Sequence, residues 1–398
     1  MRDTTDVLIS GGGLSGLIAA AACAADGRRV TLAEPHLPSD DAPEDLRSTA
    51  LLEPSIAFLD EIGLWPSLAE LATDLVTMRL IDAGGRENAE RTRIDFDAAE
   101  IGQVRFGANL PNTAFRRRLA ESLASRAHVT LCQARVAEVV ARDDQAIATL
   151  SDGSQVGAAL VVAADGRESP LRRAAGIGVR RASVGQQAIV FAVRHAEPHR
   201  GISTEIHRTG GPFTLVPLAD REGVPHSAVV WMENGREAGR LMALEKSEFE
   251  AALNERSLGC LGALHLASER RMWPIITQIA RSMTARRLAL IAEAAHVMPP
   301  IGAQGLNTSI GDISALRDAV RTAGSGDVGG QSVLSVYARA RETETALRVA
   351  GVEVLNRAAH TRVGALRDLR AMGLNMLGRT PLRRAAMSAG LGGRLLPF

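Results

Sequence analysis

The sequence predicts an α/β fold: a mainly parallel sheet built from discontinuous segments, an inserted antiparallel sheet and a helical C-terminal region. Three observations carry this. The chain opens on an apolar strand, a glycine-rich turn, an alanine-rich helix and a second strand, a βαβ start within about 30 residues. From about Gln186 to Pro274 the pattern changes to alternating segments typical of an antiparallel sheet. From Leu288 the buried-strand style returns, and the remainder reads as helix.

The elements follow in order. Residues 6–10 (DVLIS) and 29–33 (RVTLA) are short strands flanking a helix over 14–26. Residues 55–62 and 66–75 read as helices. Residues 114–126 form an amphipathic helix with Phe115, Leu119 and Leu123 at helical spacing. Strands are expected over 129–132, 135–140 and 146–150, then a turn at 151–154, then a buried strand over 159–164. The alternating region holds segments 188–193, 213–217 and 227–233, interrupted by one helix over about 246–256. A strand at 288–292, a Pro/Gly loop and a helix through Arg321 come next. Residues 324–330 are a glycine-rich break before helices over 332–357 and about 361–377. The expected boundaries are 1–77, 98–180 and 285–330 for the parallel-sheet domain, 78–97 and 181–284 for the antiparallel domain, and 331–398 for the C-terminal region.

Length and composition bound the function. A chain of 398 residues suits two or three domains. A formal charge of +1 gives no basic excess for nucleic acid. The three cysteines, Cys23, Cys132 and Cys260, stand far apart, with no metal or redox spacing, so no metal site is expected and a reducing cytoplasm fits. Asp3 and Asp6 precede the first strand, so no signal peptide is expected. No uncharged apolar run reaches the ~18 residues of a membrane span.

Gly11-Gly12-Gly13-Leu14-Ser15-Gly16 fits G-x-G-x-x-G between a strand and a helix, the Rossmann-like signature for a dinucleotide pyrophosphate. Glu34 ends the second strand, where a carboxylate accepts hydrogen bonds from an adenosine ribose. The plain reading is a tight turn with Glu34 ending a strand. Asp165-Gly166 ends a buried strand and alone would read as a turn. Residues 293–307, from Glu293 to Asn307, pack an acid, Pro299, Pro300, Gly302 and Gly305 into one loop. Gly302, Gly305 and the helix start near Leu306 offer N–H donors to an electron-rich acceptor. His296 lies inside this loop and reads equally as structural or as near the ligand. His207, His226 and His265 read as ordinary sheet or surface residues, and Trp231 as core.

These three motifs, in this order and at these separations, resemble the group A flavoprotein aromatic hydroxylases, the para-hydroxybenzoate hydroxylase type. The resemblance covers nearly the whole chain, and residues 299–307 (PPIGAQGLN) with the arginine-rich C-terminal end resemble the ubiquinone-biosynthesis branch. It implies a Rossmann-like FAD-binding domain, with the antiparallel sheet forming the substrate pocket. It places Gly11, Gly13, Ser15 and Gly16 at the pyrophosphate, Glu34 at the ribose and Arg47 beside the flavin and ribityl chain. Asn112 and Asp165 fall near the pyrophosphate, and Glu293 at the ribityl chain. Leu306 and Asn307 fall at the flavin pyrimidine carbonyl through their backbone N–H groups, with Gly302 and Gly305 in the same cofactor-binding loop, and Pro300, the catalytic-position residue, at the reactive flavin carbon. Departures are Ala292-Glu293 in place of Gly-Asp, and Thr308-Ser309-Ile310-Gly311 in place of a leucine-and-glycine run; Asp312 is kept.

The implied reaction is hydroxylation of an aromatic ring, most readily a prenylated phenol in ubiquinone biosynthesis, through a flavin hydroperoxide. It needs an external electron donor, with NAD(P)H the candidate. Two other readings stand on the same fold: a flavin-linked reductase or dehydrogenase, or a non-catalytic subunit of a quinone-biosynthesis complex. Residues 362–394 hold Arg362, Arg367, Arg370, Arg379, Arg383, Arg384 and Arg394 with Asp368 the only acid. Such a segment fits a peripheral contact with the inner face of an anionic membrane; the plainer reading is a solvated arginine face.

Overall fold

Short apolar strands need cover on both faces, which a parallel sheet sandwiched by helices provides. The computed structural model describes residues 3–38, 47–83, 90–208, 210–360, 383, 384 and 387, with backbone only at 355 and 357–360. Strand Asp3–Ser10 lies between Gln155–Ala163 and Val30–Ala33, and Leu288–Leu290 and Val129–Cys132 extend the parallel sheet on the two sides. Val7, Leu8 and Ile9 are fully buried at its centre. The antiparallel strands Val136–Ala141 and Ala146–Leu150 join onto Gln155–Ala163. Helix Leu14–Ala25 packs against Asn112–Ala124 and Gln304–Thr322, and the latter against the long helix Gln331–His360.

The second large sheet has eight strands among the described residues. It runs Leu264–Leu266, Gln186–His195, Val224–Asn234, Gly211–Arg221, Ile202–Arg208, Thr77–Asp82 and Thr92–Asp97, with Arg271–Pro274 also paired to Gln186–His195. Its contacts are antiparallel except one: Ile202–Arg208 pairs in parallel with Thr77–Asp82. One face carries Ile189, Phe191, Phe213 and Trp231, packed on Phe249 and Leu253 of helix Lys246–Ser257. The Phe191 and Phe249 rings meet edge to face at 5.2 Å. Trp231 belongs to this core. On the opposite face Ala188, Val190, Val230 and Met232 meet Ile275, Met298, Ile301 and Val352. That second contact ties the sheet to the loop around Pro299 and Pro300 and to the long helix.

Two sequence expectations change, and a third is not tested. The helix expected over 66–75 is helical only at Trp65–Leu68, turns at Ala69–Leu71 and becomes strand Thr73–Leu75. β-Branched Thr73 and the ladder offered by Gly107–Pro111 outweigh helix propensity there. A helix at Gly235–Ala243 precedes the expected one; its signal was Asn234, whose side chain accepts the Glu237 N–H at 3.1 Å. The helix expected over 361–377 lies outside the described residues.

Candidate active site

The glycine turn is built by close backbone approach. Gly11 has φ +104°, and a Cβ on it would fall 2.4 Å from Ala164 O. A Cβ on Gly16 would fall 1.9 Å from Gly11 O, which is what lets helix Leu14–Ala25 sit against the strand. Beside Gly13 there is open space, with nothing within 4 Å of the missing Cβ. The helix has no side-chain cap and no acid in its first turn, so its leading N–H groups at Ser15 and Gly16 remain available to an anion. Glu34 sits against this turn: Gly12 N–H donates to it at 2.6 Å and His36 N–H at 3.0 Å. Arg116 joins the group, donating to Gly12 O at 2.8 Å and lying 3.7 Å from Glu34. Sequence reasoning missed Arg116, because its contact depends on helix Asn112–Ala124 crossing the turn.

Asp165 follows directly, its Cα 3.1 Å from the missing Cβ of Gly11. One carboxylate oxygen accepts the Leu171 N–H at 3.3 Å; the other, Oδ1, is buried with no partner among the described residues. Burial pushes the Asp165 carboxyl up, against the pull of the Ser169 hydroxyl and the Leu171 N–H. Glu293 lies at the same end of the sheet, on the chain leaving Leu288–Leu290. Its side chain is 53% exposed and 3.4 Å from Arg167. The residue before it, Ala292, has φ +55°, a conformation that favours glycine.

The loop after it closes the site. Gly302 and Ala303 both have positive φ, turning the chain into helix Gln304–Thr322, which again lacks a side-chain cap and first-turn acid. The leading N–H groups of that helix, including Gly305 and Leu306, are therefore left over. The Asn307 side chain, missed as a side-chain role, clamps the helix to strand Ser48–Leu52. It accepts the Leu52 N–H at 2.8 Å and donates to Ala50 O at 2.9 Å and Ala303 O at 2.6 Å. Arg47 leads into that strand, its guanidinium 5.5 Å from the Trp273 ring centre. Asn112 N–H donates to Arg47 O at 2.8 Å, and the Thr49 hydroxyl donates to Asn112 Oδ1 at 2.6 Å. Pro300 is exposed between buried Pro299 and Ile301.

Behind the loop lies a network the sequence did not show. Asp312 is fully buried and accepts from His296 Nε2 at 2.6 Å, Arg341 Nε at 2.9 Å and Ala292 N–H at 3.1 Å. Burial alone would raise its carboxyl, but His296 and Arg341 outweigh that and hold it below the usual carboxylate range. His296 is therefore a buried partner of Asp312 that pins the loop to two helices. Tyr337, also fully buried, donates its hydroxyl to Leu290 O at 2.6 Å.

The sequence profile of a family described as an FAD binding domain matches residues 4–350. The chain belongs to the FAD-binding aromatic monooxygenases. Among its relatives, the ubiquinone hydroxylase UbiL of Rhodospirillum rubrum is 32% identical over 97% of this chain and 89% of its own. The 3-demethoxyubiquinol 3-hydroxylase of Escherichia coli is 27% identical over 98% of both. The crystal structure of p-nitrophenol 4-monooxygenase PnpA from Pseudomonas putida superposes with a TM-score of 0.79 at 20% identity over the full length of both chains, a likeness of fold.

The residues present fit FAD. The open space beside Gly13, the two uncapped helix starts and the partnerless buried oxygen of Asp165 suit a long polyanionic ligand with hydroxyl groups. No helix among the described residues is long and apolar enough to cross a membrane. Of the C-terminal arginines only Arg383 and Arg384 fall among the described residues. Arg383 is bound to Glu100 at 2.5 Å and stacks 5.0 Å from the Phe96 ring centre, so this one is tied to the antiparallel sheet.

Proposed function

We propose that this monooxygenase hydroxylates the ring of a prenylated phenol in ubiquinone biosynthesis, drawing electrons from NAD(P)H. The observation that carries the reading is the apolar seam between the sheet and the loop at Pro300, formed by Ala188, Val190, Val230 and Met232 against Met298, Ile301 and Val352. A flat ring with an isoprenoid tail suits such a seam, and the names of the curated relatives point the same way. When bound, FAD supplies the oxygen activation. The chain's own residues bind and orient it. In this reading Gly11, Gly13, Ser15 and Gly16 take the pyrophosphate, with Asn112 and Asp165 beside it. Glu34 takes the ribose, Arg47 the flavin edge and Glu293 the ribityl hydroxyls. Gly302, Gly305, Leu306 and Asn307 face the pyrimidine carbonyl, and Pro300 borders the reacting ring. The seam excludes water from the reaction.

Deletion of the gene followed by mass spectrometry of lipid extracts tests the reading. Accumulation of a prenylated phenol lacking one ring oxygen is expected; an unchanged quinone profile overturns it. Because such a substrate lives in lipid, the reading includes peripheral contact with anionic membrane, or with other quinone-biosynthesis proteins, through the C-terminal arginines. Sedimentation with anionic but not neutral vesicles, reversed by salt, is expected; equal sedimentation with both sinks the membrane contact.

A further inference from the structure

A phenol attacks an electrophilic oxygen far faster as its phenolate, so a base near the ring has work to do. The chain's one tyrosine cannot serve: Tyr337 is buried, its hydroxyl is committed to Leu290 O, and burial pushes that hydroxyl well above its ordinary value. The sheet facing the Pro300 loop offers another group. On strand Ile202–Arg208, Ile206 joins the core against helix Lys246–Ser257, and Arg208 pairs with Glu255 of that helix at 3.2 Å. Side chains alternate along a strand, so Glu205 and His207 face the other way, onto the side of the apolar seam.

The register fixes where they stand. His207 lies opposite Pro212, which lies beside Met232 because Phe213 pairs with Trp231. Met232 and Ala188 are in the seam with Ile301. His207 is thus two strand spacings, about 10 Å, from the residues that touch the Pro300 loop. That distance is about what a substituted aromatic ring spans.

We propose that His207, held by Glu205, is the base that takes the phenol proton; this rests on the hydroxylase reading above. His207 Nε2 lies 2.7 Å from Glu205 Oε1, and the two side chains are only 12% and 15% exposed. A carboxylate can only accept, so in the neutral imidazole Nε2 carries the proton and Nδ1 the lone pair. That Nδ1 is buried with no hydrogen-bond partner among the described residues. In the step, the phenol O–H bond breaks, its proton joins Nδ1, and the electron pair stays on the phenolate oxygen. Glu205 then balances the imidazolium. Among the described residues, the other charged groups near His207 are the fully buried Asp82, its neighbour across the parallel ladder, with Arg91 3.8 Å from Asp82, and half-buried Glu353 on the long helix that packs over this strand.

The test uses the FAD-loaded enzyme and 4-nitrophenol, a phenol whose ionisation is visible. With the wild type, the phenolate band of the bound probe should appear at a lower pH than in free solution. In His207→Gln, with FAD content and Tm retained, that midpoint should rise by at least about one pH unit. Hydroxylation near neutral pH should fall by about 10²-fold or more and recover as pH rises through the phenol's own ionisation. Glu205→Gln, the positioning partner, should shift the same midpoint in the same direction by less, which keeps the test usable if His207→Gln loses its flavin. A bound-probe midpoint unmoved in both variants overturns the role of His207 and leaves the hydroxylase reading intact. A wild-type holoenzyme that binds no phenol overturns both.

Discussion

On the readings proposed above, the glycine turn and the antiparallel sheet would grip their ligands in opposite ways. At the turn, function is a matter of backbone: Gly11 and Gly16 matter for the side chains they lack, and the contacts that need them lie within a few residues or on the next parallel strand. On the sheet, function is a matter of side chains that meet only through register. Glu205, His207 and Asp82 share a face because strands more than a hundred residues apart pair in parallel. On the readings proposed above, cofactor binding would rest mainly on backbone shape, and substrate chemistry on side chains that register brings together.

The largest effect should come from breaking the local half. In Gly16→Val a Cβ would stand 1.9 Å from Gly11 O, and neither backbone can yield without opening the βαβ unit. Complete loss of FAD and a stability loss of more than about 3 kcal/mol are expected, read by flavin released on denaturation and by thermal melting. A Gly16→Val protein that purifies with a full complement of FAD would refute the claim that this approach is required.

Glu293 sharpens the comparison, since it is a side chain in the backbone-driven half. Charge-assisted bonds to ribityl hydroxyls are worth roughly 1.5–3 kcal/mol, so Glu293→Ala should weaken FAD about ten- to a hundredfold, while Glu293→Asp should retain it. Its exposure and its pairing with Arg167 in the free protein place the effect toward the lower end. Titration of the apoprotein with FAD measures it; equal affinity for Glu293→Ala and the parent removes this residue from the site.

The smallest effect should come from Tyr337→Phe. The hydroxyl sits in the core of the parallel-sheet half and bonds Leu290 O, so its loss should cost about 1 kcal/mol of stability and leave turnover nearly unchanged. A hundredfold drop in hydroxylation, with FAD content intact, would mean that the division between the two halves is drawn in the wrong place.

The same division explains what the sequence disclosed. The glycine turn, Glu34, the Asp165-Gly166 pair and the loop from Pro299 to Asn307 are each contiguous in sequence, so each was readable one segment at a time. The buried group of Asp312, His296 and Arg341 was not, because three segments converge on one carboxylate only after helices Gln304–Thr322 and Gln331–His360 have packed. Nor was the pairing of His207 with Glu205 distinguishable from an ordinary polar strand until the register showed which face it occupied. Thr73–Leu75 failed for a related reason: its strand character comes from a partner, Gly107–Pro111, supplied by distant sequence.

The order of strands in the parallel sheet also bears on how the protein is made. Asp3–Ser10 pairs with Gln155–Ala163, and that strand in turn with Leu288–Leu290. At roughly 5–20 residues per second of synthesis, the first strand and its glycine turn leave the ribosome some tens of seconds before the last partner emerges. Residues 299–307 emerge later still, so on the reading proposed above a nascent chain lacks part of its FAD site until then. On that reading FAD is expected to bind the finished chain, and a greater supply of free flavin to favour the folded state by mass action.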